Sequence, residues 1–159
     1  MKAIVVFYSL TGKTALFAKE TAKELQCDIR EIKEVRKRSK VGAYVGGAYA
    51  AMKGKSSKIQ PMDLDLQAYD TIFLTTPIWA ALPVPAVNAF LEKAELKGKK
   101  FVLQVCCAGG DDTKAAAQLT TYIESRGGTV LQHYPFKTYK VEDADFVRQA
   151  HETAKLYKQ

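Results

Sequence analysis

Three short stretches of this chain are nearly continuous runs of apolar, mostly β-branched and aromatic residues: Lys2 to Phe7 (KAIVVF), Thr71 to Thr75 (TIFLT) and Phe101 to Val105 (FVLQV). A strand with one wet face alternates apolar and polar residues. A strand without alternation must be covered on both faces, which is the situation in the middle of a parallel sheet flanked by helices. Two further stretches read as strands of a different kind. Cys27 to Val35 (CDIREIKEV) alternates and carries charge, and Thr129 to Phe136 (TVLQHYPF) contains Pro135. Charges and a proline both belong at sheet edges.

Between these stretches apolar residues recur at helical spacing. Ala15, Ala18, Ala22 and Leu25 form one stripe and Val87, Phe90, Leu91 and Ala94 a second. Ala116, Leu119 and Ile123 form a third, stopped by Gly127-Gly128. A fourth, Phe146, Ala150, Ala154 and Tyr157, runs from acids at its start to lysines at its end, as the helix dipole favours. The segment Arg36 to Pro61 is irregular: a basic run, a glycine-weakened short helix in VGAYVGGAYAAM, then more lysines. Strands alternating with helices predict one doubly wound α/β domain over residues 1–159. Placing the charged and proline-bearing strands outermost gives the strand order 2-1-3-4-5. Ligands in such sheets bind beyond the carboxyl ends of the strands, where the chain reverses direction. The expected site is therefore built from FYSLTGKT after the first strand and TTPIWAALP after the third, with Cys106 to Asp112 on the rim.

The first of these loops ends in Gly12-Lys13-Thr14, the tail of a triphosphate loop. The full pattern requires glycine five positions before Gly12, where Phe7 stands, and no acid ends a later strand to hold magnesium. A triphosphate is excluded. Two readings of the residues remain level: a site for a single phosphate on the helix start, served by the hydroxyls of Ser9, Thr11 and Thr14, or a helix with an ordinary hydroxyl cap.

Other chemistries fare worse. A phosphatase loop needs arginine after Cys106 or Cys107 at positions that hold Asp112 and Thr113, and buried cysteine is the commoner state. Tyr8-Ser9 and Thr75-Thr76 stand where a response regulator needs acids. His133 and His151 have no second ligand at metal spacing and read as structural. The chain has 24 lysines and arginines against 17 acids, a net charge of +7, which attracts anionic partners in general. No nucleic-acid module accompanies the basic run, which reads as solvated surface. Three cysteines, no leader-like segment and no apolar stretch long enough for a membrane span predict a cytoplasmic protein with reduced thiols.

S-x-T-G-x-T after the first strand resembles the FMN phosphate loop of flavodoxins. Thr76 to Ala80 (TPIWA), followed by P-x-P-A and a helix, resembles their second flavin loop, and the likeness extends over the whole chain. It implies FMN as cofactor. Ser9, Leu10, Thr11, Gly12, Lys13 and Thr14 would surround the phosphate, and Thr76, Pro77, Ile78, Trp79 and Ala80 would line the isoalloxazine. Cys107, Ala108, Gly109 and Gly110 would meet its pyrimidine end. Trp79, the single tryptophan, reads as a flavin contact rather than a core residue. The resemblance implies electron transfer with a redox partner protein. An alternative is an FMN-dependent oxidoreductase passing electrons from NAD(P)H to a quinone-like acceptor, and a non-redox binding module is a further one. Two departures bear on that choice: the chain is basic where flavodoxins are typically acidic, and CCAGGDDT offers no aromatic residue to cover the flavin. The oligomeric state is not set by the sequence.

Overall fold

The computed structural model describes residues 2–109 and 111–158, and of Tyr44 the backbone alone. The strands are β1 (Ala3–Phe7), β2 (Asp28–Glu31), β3 (Thr71–Trp79), β4 (Leu82–Pro83), β5 (Lys100–Cys107) and β6 (Thr129–Lys137). The main helices are α1 (Lys13–Leu25), α4 (Pro85–Lys93), α5 (Thr113–Ser125) and α6 (Asp143–Lys155). Two short pieces, α2 (Lys40–Gly42) and α3 (Ala48–Met52), are joined by a π-helical turn over Ala43–Gly47. The sheet runs β2-β1-β3-β5-β6, with β4 paired only to β3. This is the predicted five-stranded order. Its main strands are all parallel.

The three central strands are buried because the sheet is covered on both sides. On β1, Ile4 and Val6 join α4 and α5 residues such as Val87, Phe90, Leu119 and Ile123 in one core. Val5 and Phe7 face the other way, with Ala18 and Ala22 of α1. Phe17 and Phe146, centroids 4.9 Å apart, lock α1 to α6. The α1 stripe is rotated from the predicted one: Phe17, Ala18, Thr21 and Ala22 are buried, whereas Ala15 and Leu25 are only partly so. Packing against α6 decided this: Phe17 shares one core with Phe146 and Ala150.

Two strands differ from expectation. Only Asp28–Glu31 of the Cys27 to Val35 stretch pairs with β1. Beyond it the chain turns antiparallel to a returning segment, with Val35 N–H donating to the Lys58 carbonyl (2.9 Å) and Gln60 N–H to that of Lys33 (2.7 Å). The excursion 36–58 thus leaves and re-enters the fold at one point. The second difference concerns the predicted loop after the third strand. It is mostly strand: Thr76 and Pro77 continue alongside Val105 and Cys106, and Ile78 and Trp79 pair with Pro83 and Leu82. Pro77 is tolerated because β1 pairs with β3 no further than Thr75.

Candidate functional site

Strand register brings the candidate loops to one edge of the sheet. Phe7 aligns with Thr75 and Pro77 with Cys106, so the chain leaves β1, β3 and β5 at nearly the same level. Tyr8 N–H donates to the Thr75 carbonyl at 3.2 Å, tying the first two loops together.

In the first loop Ser9 and Leu10 are half-buried, and Thr11 and Gly12 are exposed. Gly12 caps α1 with φ near +98°, and its N–H donates to Ser9 Oγ at 3.1 Å. No side chain caps α1 and no acid stands in its first turn, so the positive end of the helix faces outward uncompensated. A Cβ at Gly12 would meet none of the described residues within 4 Å. Lys13 turns away: its Nζ pairs with Asp143 (2.8 Å), donates to the Val141 carbonyl (2.9 Å) and lies 5.6 Å from the Phe146 ring centre. The charge that the loop seemed to carry is neutralised at the start of α6. Thr14 is buried, and its hydroxyl shares a hydrogen bond with the Cys106 thiol.

The second loop is a hairpin whose two turn residues, Ala80 and Ala81, both have positive φ (51° and 60°). Two-residue hairpins demand that geometry, and glycine or asparagine usually supplies it. Alanine pays a steric penalty there, and such strain concentrates at functional sites. Thr76 is buried, Pro77, Ile78 and Trp79 are half-buried, and Ala80 is exposed.

Trp79 is held by residues distant in sequence. Tyr8 meets it edge-on (centroids 5.9 Å apart, 78° between planes) and the Arg38 guanidinium lies 5.7 Å from its ring centre. Behind them Glu34, almost fully buried, accepts from Tyr8 Oη (2.9 Å) and Arg38 Nε (3.0 Å). Burial first, and the Glu34 hydrogen bond second, push the Tyr8 phenol well above its usual range, so it stays a neutral donor. From above, Gly47 approaches so closely that a Cβ there would lie 2.7 Å from the indole. The sequence reading missed this cradle. Its one local signal is Glu34 four residues before Arg38, just ahead of the basic run that reads as solvated surface. A cleft of about 580 Å3 opens beside it, lined by Tyr8, Ser9, Leu10, Glu34, Lys37 and Arg38 among others.

In the third loop Cys107 is buried and Ala108 and Gly109 are exposed; Gly110 lies outside the described residues. Burial pushes the Cys106 thiol up to about 12, which leaves no thiolate for chemistry at neutral pH. Asp112, at the start of α5, is buried, its Oδ2 has no partner among the described residues, and burial raises its carboxyl above the usual range. His133 stands 3.7 Å from its other oxygen, and His151 bonds Glu20 at 2.8 Å, joining α6 to α1. Among the described residues no group of histidines, cysteines and acids is placed to hold a metal ion. No described helix is long and apolar enough to cross a membrane.

Comparison with known proteins agrees with this fold. A family profile described as Flavodoxin matches residues 2–134. Flavodoxin 1 of Escherichia coli (strain K12) is 27% identical over 146 residues, covering 87% of this chain and 70% of that protein. Among solved structures, a Bacteroides uniformis protein superposes with a TM-score of 0.82 at 21% identity, covering 97% of both chains. A Lactobacillus acidophilus flavoprotein in complex with FMN superposes with a TM-score of 0.69 at 19% identity, over 83% of this chain and 91% of that one. At such identities the superpositions establish the fold.

Proposed function

Because the chain belongs to the flavodoxin family, we propose that it binds FMN at the three loops and works in electron transfer with a partner protein. The observation that carries this reading is the uncapped start of α1, with an exposed Gly12 and the Ser9 and Thr11 hydroxyls beside it. Backbone N–H groups at a helix start, with no acid to repel an anion, suit a terminal phosphate. Ser9, Leu10, Thr11, Gly12, Lys13 and Thr14 form that region. Lys13 contributes by anchoring the loop to α6, and Thr14 by its buried bond to Cys106. Thr76, Pro77, Ile78, Trp79 and Ala80 line the ring, the indole held still by Tyr8, Arg38 and Gly47. Cys107, Ala108 and Gly109 offer backbone groups at the third side, and Gly110 is expected there too. Bound FMN supplies one- and two-electron redox chemistry; the chain orients it and limits its contact with water.

The cleft beside Ser9 and Leu10 favours a second reading, in which the flavin takes electrons from NAD(P)H and passes them to a quinone-like acceptor. Lys37 on its wall, which makes no ion pair among the described residues, suits an anionic nucleotide, whereas Arg38 is held by Glu34. Steady NAD(P)H oxidation by the FMN-loaded protein with a quinone, and no other protein, would select this reading; its absence would select the carrier.

The binding test uses Trp79, the single tryptophan. Titration with FMN should quench its fluorescence. Riboflavin, lacking the phosphate, should bind at least about tenfold more weakly, since each charge-assisted hydrogen bond contributes roughly 1.5–3 kcal/mol. Equal affinity for the two would overturn the phosphate site.

A further inference from the structure

Residues 35–62 hold seven lysines and arginines and no acid. The formal charge of +7 therefore resides wholly in this one excursion, and the rest of the chain is neutral. Arg38 is turned inward to Glu34 and Trp79. Arg36, Lys37, Lys40, Lys53, Lys55 and Lys58 are all exposed, and among the described residues none of the six makes an ion pair. Charge so concentrated and unneutralised has no role in holding the fold together.

The helical part of the excursion adds an apolar stripe. Val41, Val45, Tyr49 and Met52, spaced by four, four and three residues, are 73%, 73%, 56% and 64% exposed. Small residues occupy the opposite side: Ala43 and Ala51 are buried, and Gly47 rests on Trp79. Single exposed apolar residues are commonplace, but four along one helix, ringed by lysines, mark a contact surface. Lys53 and Lys55 each lie within 6 Å of the Tyr49 ring centre.

We propose that this face docks an acidic surface of a partner protein, with the stripe meeting an apolar spot at its centre. That the partner is a redox protein rests on the electron-transfer reading above; the surface itself does not. Charge complementarity demands an acidic occupant. A bilayer would suit a broad face of bulky residues with lysines along the same helix. Among the described residues the stripe is one residue wide, and all the basic residues but Lys40 lie in the flanking segments. Tyrosine and methionine are enriched in protein contacts. The same helix covers Trp79, so the docking surface adjoins the flavin loops.

The test uses the full chain without FMN and three probes: a labelled acidic peptide interleaving Asp and Glu with Leu and Phe, phosphatidylcholine vesicles containing phosphatidylserine, and a short DNA duplex. The peptide should bind, and its association rate should fall about tenfold as NaCl rises from about 20 to about 200 mM. The double variant Val45→Ser/Tyr49→Ser should bind it about tenfold more weakly with an unchanged melting temperature. Unchanged affinity in the double variant, or vesicles or duplex preferred over the peptide, would overturn the proposal. Because FMN is absent, this result is read separately from the FMN titration.

Discussion

Gly12 sits where a β-branched side chain is doubly unwelcome. Its φ of +98° is costly for any residue with a Cβ, by about 1–2 kcal/mol. The space its Cβ would enter is open in the protein alone and is the space the proposed phosphate would take. Gly12→Val should therefore lower the melting temperature modestly and weaken FMN binding more than riboflavin binding; an unchanged FMN dissociation constant would remove this loop from the site. Asp112 makes a pH-dependent case. Its folded pKa is raised by burial, so the ionised form costs stability at neutral pH, and the cost disappears as pH falls through the raised value to the ordinary range near ~3.9. His133 offsets part of it when protonated. Asp112→Asn should stabilise the protein by about 1 kcal/mol at pH 7 and by less at pH 4, as read from urea midpoints. A gain that grew on acidification would contradict the sign.

At the scale of elements, the irregular excursion and the β3–β4 hairpin depend on each other. The hairpin carries Trp79 beyond the end of β1, and the helix over Ala43–Gly47 comes down on it because Gly47 has no side chain. In Gly47→Val the indole must move, since nothing in the backbone of a helix can yield by that much. The single-tryptophan emission should shift to the red as the ring meets water, FMN affinity should drop several-fold, and far-ultraviolet circular dichroism should stay native. Unchanged emission would show that the ring is not held there. None of this contact was legible from periodicity. A glycine-rich stretch reads as a weak helix, and only the fold reveals that glycine was needed for close approach.

Across the whole molecule, one buried polar chain links sheet and helix beneath the site. Thr75 on β3 donates to Gln104 Oε1 at 2.7 Å, and Gln104 on β5 donates to Thr21 on α1 at 3.4 Å. All three are fully or almost fully buried. Replacing Gln104 by leucine strands two hydroxyls in the core and should cost about 2 kcal/mol. The double variant Thr75→Val/Gln104→Leu should cost less than the sum of the two singles, because one orphan disappears with its partner. Additive losses in urea unfolding would mean that the chain of bonds is not a unit.

The strand order, the edge positions of β2 and β6 and the placement of the candidate loops at the carboxyl ends of the strands were all written in local patterns. Whether a run alternates depends on how many of its faces are buried, and that rule needs no tertiary information. The loop motifs were legible for the same reason: a hydroxyl-rich turn entering a helix is local chemistry. What the tertiary structure alone decided is which groups meet. It gave Lys13 to Asp143 rather than to the loop, it carried β3 on into a strained alanine hairpin, and it set Tyr8, Glu34, Arg38 and Gly47 around Trp79. These contacts join residues up to 130 positions apart. They are settled by packing and burial, terms that act between elements and leave no periodic trace in the order of the residues.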